Sequence, residues 1–130
     1  MKALCVKGLV FSGKAEGEKF IKLLWVRTQI KEKIGFDPYN GTLNLRLANG
    51  DSLKLDKVLK TAKSIEISPE IGYYPGKCFK ARMKRSIQCA AIIPQIPNYP
   101  KNVLEIIAPF NLRERLHLRD NDTAEIVLEY

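Results

Sequence analysis

The chain is 130 residues long and 45% hydrophobic, which suits one domain with one closed core and is too short for two domains of ordinary size. Its 22 Lys and Arg against 14 Asp and Glu give a net charge of +8, so anionic partners are favoured: nucleotides, nucleic acid or an anionic membrane surface. The three cysteines, Cys5, Cys78 and Cys89, lie far apart with no Cys-x-x-Cys spacing, which argues against a zinc site or disulfide framework, and no apolar run nears the ~20 residues of a membrane helix.

Reduced, mostly buried thiols and a soluble, cytoplasmic protein are the expectation. Basic charge is spread along the chain, with a modest cluster at Lys80, Arg82, Lys84 and Arg85.

In chain order, residues 4–11 are apolar and β-branched enough for a strand, and residues 12–19 read as a polar, glycine-bearing loop. A short strand is expected over 19–23. Leu23, Val26, Ile30 and Ile34 then recur at helical spacing, with Gly35 placed as a stop. Residues 38–41 form a turn, after which Leu43, Leu45 and Leu47 alternate with Thr42, Asn44 and Arg46 in the clearest strand pattern of the chain. Asn49 and Gly50 follow at once, and Leu53 and Leu55 resume the alternation, so a hairpin is expected there. Short strands are predicted at 65–67, 78–83, 87–93, 103–108 and 123–129, with a helical turn or two within 111–118 and a turn over 119–122. Many short strands and little helix suggest a barrel.

Three segments have the makings of a site. Thr42 and Asn44 share one strand face, offering two neutral oxygens that suit magnesium if a ligand's phosphates supply the negative charge; the same pair equally fits the solvated face of a half-buried strand. Gly13, Lys14, Ala15, Glu16, Gly17 and Glu18 make a loop whose glycines let backbone N–H groups approach an anion, although it lacks the Gly-Lys-Ser/Thr ending of a Walker A loop. Residues 104–113 place Glu105 before an apolar run and Arg113 after it. Arg113 suits a phosphate or a planar base, but it also fits a surface arginine on a short helix, and Glu105 a carboxylate at a rim.

The order and wording of these segments, the glycine loop, then Gly-Phe-Asp-Pro-Tyr-Asn-Gly-Thr-Leu-Asn-Leu (35–45), then Leu-Glu-Ile-Ile-Ala-Pro-Phe-Asn-Leu-Arg (104–113), resembles the archaeal CTP-dependent riboflavin kinases. The resemblance runs from about Leu9 to the final strand; residues 51–85 match only in general pattern. It implies a mainly β fold, a compact six-stranded cradle-loop barrel with one short helix and helical turns, forming a single domain over 1–130. It also implies transfer of the γ-phosphoryl group of CTP to the 5′-hydroxyl of riboflavin, giving FMN and CDP, with Mg2+ as cofactor.

By position, the resemblance makes Thr42 and Asn44 the metal ligands. Gly13 through Glu18, with Phe110, Asn111, Leu112 and Arg113, become the nucleotide-binding residues, and Glu105 the flavin-binding carboxylate. Pro97 stands where the family usually has a flavin-contacting threonine and offers neither a hydroxyl nor an N–H, so Asn98 or Tyr99 is the neighbour able to supply the missing contact. Ala15 and Glu18 also depart from the family's loop. No general base is identified: His117, between Leu116 and Leu118, fits a structural or surface role. A monomer is expected, with no nucleic-acid or membrane partner. The alternatives are a non-enzymatic nucleic-acid-binding barrel, for which +8 is suited, and a barrel that binds flavin without phosphoryl transfer.

Overall fold

Residues 2–13 and 16–130 are described by the computed structural model, and in them the period-two apolar segments become one antiparallel sheet. Its strands are β1 (Ala3–Phe11), β2 (Leu43–Leu47), β3 (Ile65–Ile67), β4 (Gly76–Met83), β5 (Ile87–Pro94), β6 (Val103–Ile107) and β7 (Thr123–Glu129). They lie in the order β3-β4-β5-β6-β2-β1-β7, and β4 pairs again with β7 through Ala81 opposite Leu128. All but β3 therefore close into a six-stranded barrel, and β3 adds to the first residues of β4.

Alternation along the strands sorts the apolar side chains into two cores. Val6, Leu45, Phe79, Ala91, Leu104 and Ile126 point inward and fill the barrel. Cys78, Ala90, Ile92 and Ile107 point outward and meet Phe20, Ile21, Val26 and Ile30 of two helices, α1 (Glu16–Ile21) and α2 (Leu24–Lys33), laid over the outer face. Because β5 is covered on both sides, its residues from Cys89 to Pro94 are all buried.

Two further helices, α3 (Asn49–Thr61) and α4 (Leu112–Arg115), bring the total among the described residues to four, where one short helix and helical turns were expected. The expected loop over 12–19 and short strand over 19–23 give way to α1, whose first turn carries Glu16 and Glu18 at the end of the helix dipole that favours acids. The expected hairpin at Asn49 and Gly50 is overturned as well. A returning strand would bury Leu53 with Leu55, but Leu53 is 65% exposed and Leu55 only 2%, whereas Ser52, Leu55 and Val58 are buried at helical spacing. α3 is held by Lys7 N donating to Asp51 (2.8 Å) and by Ser52 Oγ donating to Lys101 O (2.7 Å), and it supplies Leu55 and Val58 to the interior core.

The other expected strands form within a residue or two of their predicted limits, and Gly35 ends the α2 region at φ +107, where a side chain would be strained. Lys80, Arg82, Lys84 and Arg85 are all exposed around the β4–β5 hairpin. Cys78 and Cys89 are buried thiols, and burial pushes both up to about 12; Cys5 is exposed. No helix among the described residues is long and apolar enough to cross a membrane.

Phe79 is 1% exposed in the barrel interior, with its ring edge-on to Tyr130 at 6.4 Å. Phe79→Ala should cost about 3–5 kcal/mol, read as a lower denaturant midpoint with an unchanged slope.

Candidate functional site

The site is assembled where β2 enters the sheet. Arg27 of α2 pins the preceding turn, donating to Asp37 Oδ1 (2.9 Å), Pro38 O (2.6 Å) and Asn40 Oδ1 (2.5 Å), while Tyr39 N donates to Ala108 O (2.8 Å). The turn delivers Thr42 to the edge of the barrel, and the alternation that sends Leu43 and Leu45 inward sends Asn44 outward. Across the ladder, Asn44 is paired with Glu105 of β6, so the amide and the carboxyl share the outer face.

Glu105 is 0% exposed. A buried carboxylate is tolerated only with donors around it, and among the described residues three converge here. Gly17 N of α1 donates to Oε2 at 2.7 Å, Tyr99 Oη donates to Oε2 at 2.5 Å, and Thr42 Oγ1 donates to Oε1 at 2.9 Å. Gly17 is required by this approach, since a Cβ at that position would lie 2.5 Å from Glu105 Cδ. Burial first, then the charge of Glu105 and the hydrogen bond to it, push the Tyr99 phenol far above its ordinary range, so it remains a donor.

Two clefts are lined by residues that donate to this carboxylate. A polar one of about 270 Å³ is lined by Ser12, Gly13 and Glu18, by Tyr39 through Asn44, and by Phe110 through Arg113. In its wall, Arg113 donates to Ser12 Oγ (2.8 Å), Asp120 Oδ1 (2.5 Å) and Leu118 O (3.2 Å), and the guanidinium with the Ser12 hydroxyl holds the Asp120 carboxyl below its usual range. Asn111 Oδ1 accepts from Glu114 N and caps α4. The second cleft, of about 310 Å³, is more apolar and runs between Leu55 and Leu59 of α3 and the β5–β6 connection, with Ile96, Pro97 and Tyr99 on that side. Thr42 lines the first cleft and Tyr99 the second, and each holds one oxygen of Glu105.

The donor set suits a hard cation. Thr42 Oγ1 lies 2.9 Å from both Asn44 Oδ1 and Glu105 Oε1, and its single proton can serve just one of them. With that proton directed at the carboxylate, Thr42 and Asn44 face each other with lone pairs. Neighbouring ligands of an octahedral magnesium, each about 2.0–2.1 Å from the ion, stand about 2.9 Å apart. Among the described residues no cluster of three His, Cys, Asp or Glu side chains stands together, so the charge needed to hold a cation must come largely from a ligand.

The structure brings together Gly13, Glu18, Thr42, Asn44 and residues 110–113 in one cleft, with Gly17 and Glu105 directly behind it. Glu105 is a sealed carboxylate, not a rim one, and Arg113 is tied into the cleft wall. Lys14 and Ala15 lie outside the described residues. Glu16 is not in the cleft wall; it opens α1. Pro97 is exposed in a turn closed by Tyr99 N donating to Ile96 O (3.2 Å), with Asn98 at φ +66, and Pro97 itself makes no polar contact among the described residues. His117 is exposed at φ +52 just after α4. Arg27, Ser12, Asp120 and the bond from Tyr99 to Glu105 were not found from sequence: Ser12 meets Arg113 across 101 residues, and the nearer pairs, such as Tyr99 with Glu105 six residues on, follow no helix or strand period.

The fold is a closed six-stranded barrel that carries converging side-chain oxygens on its outer face. The chain belongs to the CTP-dependent riboflavin kinase family, described as domain of unknown function DUF120, whose model matches residues 10–128. It is similar to the riboflavin kinase of Archaeoglobus fulgidus, 38% identical over 125 residues that cover 93% of this chain and 53% of that protein. The riboflavin kinase of Methanocella arvoryzae is 40% identical over 125 residues, covering 95% and 56%. That of Sulfurisphaera tokodaii is 36% identical over 129 residues, covering 96% and 95%. The chain thus spans about half the length of the first two and nearly all of the third.

Gly17→Ala should drive α1 off the outer face and destabilise the protein by about 1–3 kcal/mol, measured by chemical denaturation. Wild-type stability in this variant would contradict the packing of Gly17 on Glu105.

Proposed function

We propose that the chain is a riboflavin kinase that transfers the γ-phosphoryl group of CTP to the ribityl 5′-hydroxyl of riboflavin, giving FMN and CDP. The observation that carries the reading is the cluster of Thr42, Asn44 and Glu105 at the junction of two clefts of different character. Membership of the family and the riboflavin kinases among the relatives support the same reaction.

The polar cleft takes the nucleotide. Gly13 and Glu18 on one side and Phe110 to Arg113 on the other frame it, and Arg113 holds Ser12 and Asp120 in place as its cationic wall. The apolar cleft takes the flavin ring, whose flat heteroaromatic surface matches walls of Leu55, Leu59, Ile96, Pro97 and the Tyr99 ring. The ribityl chain then runs toward Glu105, where its hydroxyl meets the phosphate end of the nucleotide.

Phosphoryl transfer passes through a loose transition state, so the protein's work is to align donor and acceptor and to neutralise charge. Thr42 and Asn44 would hold magnesium, which when bound spreads the negative charge of the phosphates. Glu105 accepts the hydrogen bond of the Thr42 hydroxyl, which turns the Thr42 lone pairs toward Asn44. Burial of this junction keeps bulk water from competing with the flavin hydroxyl as acceptor.

Purified protein given riboflavin, magnesium and either CTP or ATP should form FMN, with CTP the better donor; no FMN from either would overturn the reading. Asn44→Ala should remain folded and lower turnover at limiting magnesium by two orders of magnitude or more, roughly 3 kcal/mol of transition-state stabilisation. Near-normal turnover there would remove Asn44 from the metal's shell.

A further inference from the structure

The arrangement around Glu105 distinguishes its two oxygens. A carboxylate oxygen accepts about two hydrogen bonds. Oε2 already has two donors, Gly17 N at 2.7 Å and Tyr99 Oη at 2.5 Å, whereas Oε1 has one, Thr42 Oγ1 at 2.9 Å. Among the described residues Oε1 is therefore the oxygen with an acceptor position left, and its one donor, Thr42, lines the polar cleft.

The Tyr99 contact lies in the range of short O–H···O⁻ bonds, which are roughly twice as strong as neutral ones. Its delivery is built into the chain: Pro97 and Asn98 occupy the centre of a turn, Asn98 takes the left-handed conformation, and the Tyr99 ring then passes along the apolar cleft with its hydroxyl reaching Oε2. Asn98 is exposed and spent on the turn, so of the two neighbours of Pro97 it is Tyr99 that meets the site.

We infer that Tyr99 is a positioning residue: together with the Gly17 N–H it saturates Oε2, so that Oε1 is the oxygen presented to the acceptor hydroxyl of riboflavin beside Thr42. This rests on the kinase reading and adds to it the group that orients its buried carboxylate. Without the phenol hydroxyl the carboxylate loses one of the donors that fix its plane, so an oxygen is less firmly held beside Thr42 in the orientation that meets the acceptor hydroxyl.

Tyr99→Phe removes the hydroxyl and keeps the ring, so the apolar cleft retains its wall. Riboflavin affinity, read by quenching of flavin fluorescence without nucleotide, should fall about tenfold, and kcat/KM for riboflavin should fall by at least that factor. Affinity for CTP should not change. Replacement of Tyr99 by 4-aminophenylalanine, which restores an N–H donor at the same ring position, should recover most of the loss. Wild-type riboflavin affinity and turnover in Tyr99→Phe would overturn the proposal, as would equal loss toward riboflavin and CTP or a failure of the amino analogue to rescue. A wild-type protein that binds riboflavin but forms no FMN would count against the kinase reading alone, and the binding comparison would still decide the role of Tyr99.

Discussion

Burying one negative charge organises this molecule. A carboxylate withdrawn from water costs several kcal/mol unless donors replace the lost hydration, and Glu105 is wholly withdrawn. Its three donors come from three places in the chain: the first turn of α1, the entry to β2 and the connection between β5 and β6. Each of those segments is short or irregular and would have little reason to adopt its conformation alone. Gathered on one carboxylate, they become the walls of two adjoining clefts.

The barrel beneath supplies a rigid frame for that gathering. Antiparallel pairing fixes Asn44 opposite Glu105, and a shift of one residue in the β2–β6 register would put the two side chains on opposite faces of the sheet, one of them in the apolar interior. The requirement for an outward carboxylate and the requirement for an inward Leu104 and Ile106 are thus satisfied by the same alternation.

Much of this was legible from residue order. Strands with clean alternation, such as those carrying Leu43 to Leu47 and Ile126 to Leu128, announced themselves because each has one apolar face. α3 did not, since Leu53 and Leu55 continue the alternation of β2 through an Asn-Gly pair that favours hairpins; what decides for helix is that the interior needs Leu55 and Val58 while Leu53 stays in water. α1 was hidden by its brevity and by Gly17 within its first turn. At the site, Thr42 and Asn44 could be found by spacing, and Glu105 and Arg113 by resemblance to a family. The contacts that orient them could not, because Tyr99, Gly17, Ser12 and Asp120 meet their partners through folding and leave no periodic trace in the chain.

The unequal burial of the cysteines has a practical consequence. Reaction with an alkylating reagent proceeds through the thiolate, and a thiol at about 12 is ionised to roughly one part in 10⁵ at neutral pH, so Cys78 and Cys89 are protected twice over, by chemistry and by the side chains packed above them. Cys5 lies open on β1. The folded chain therefore displays one modifiable sulfur and the unfolded chain three, so the mass added in a brief labelling pulse counts folded and unfolded molecules in the same sample without any engineered probe.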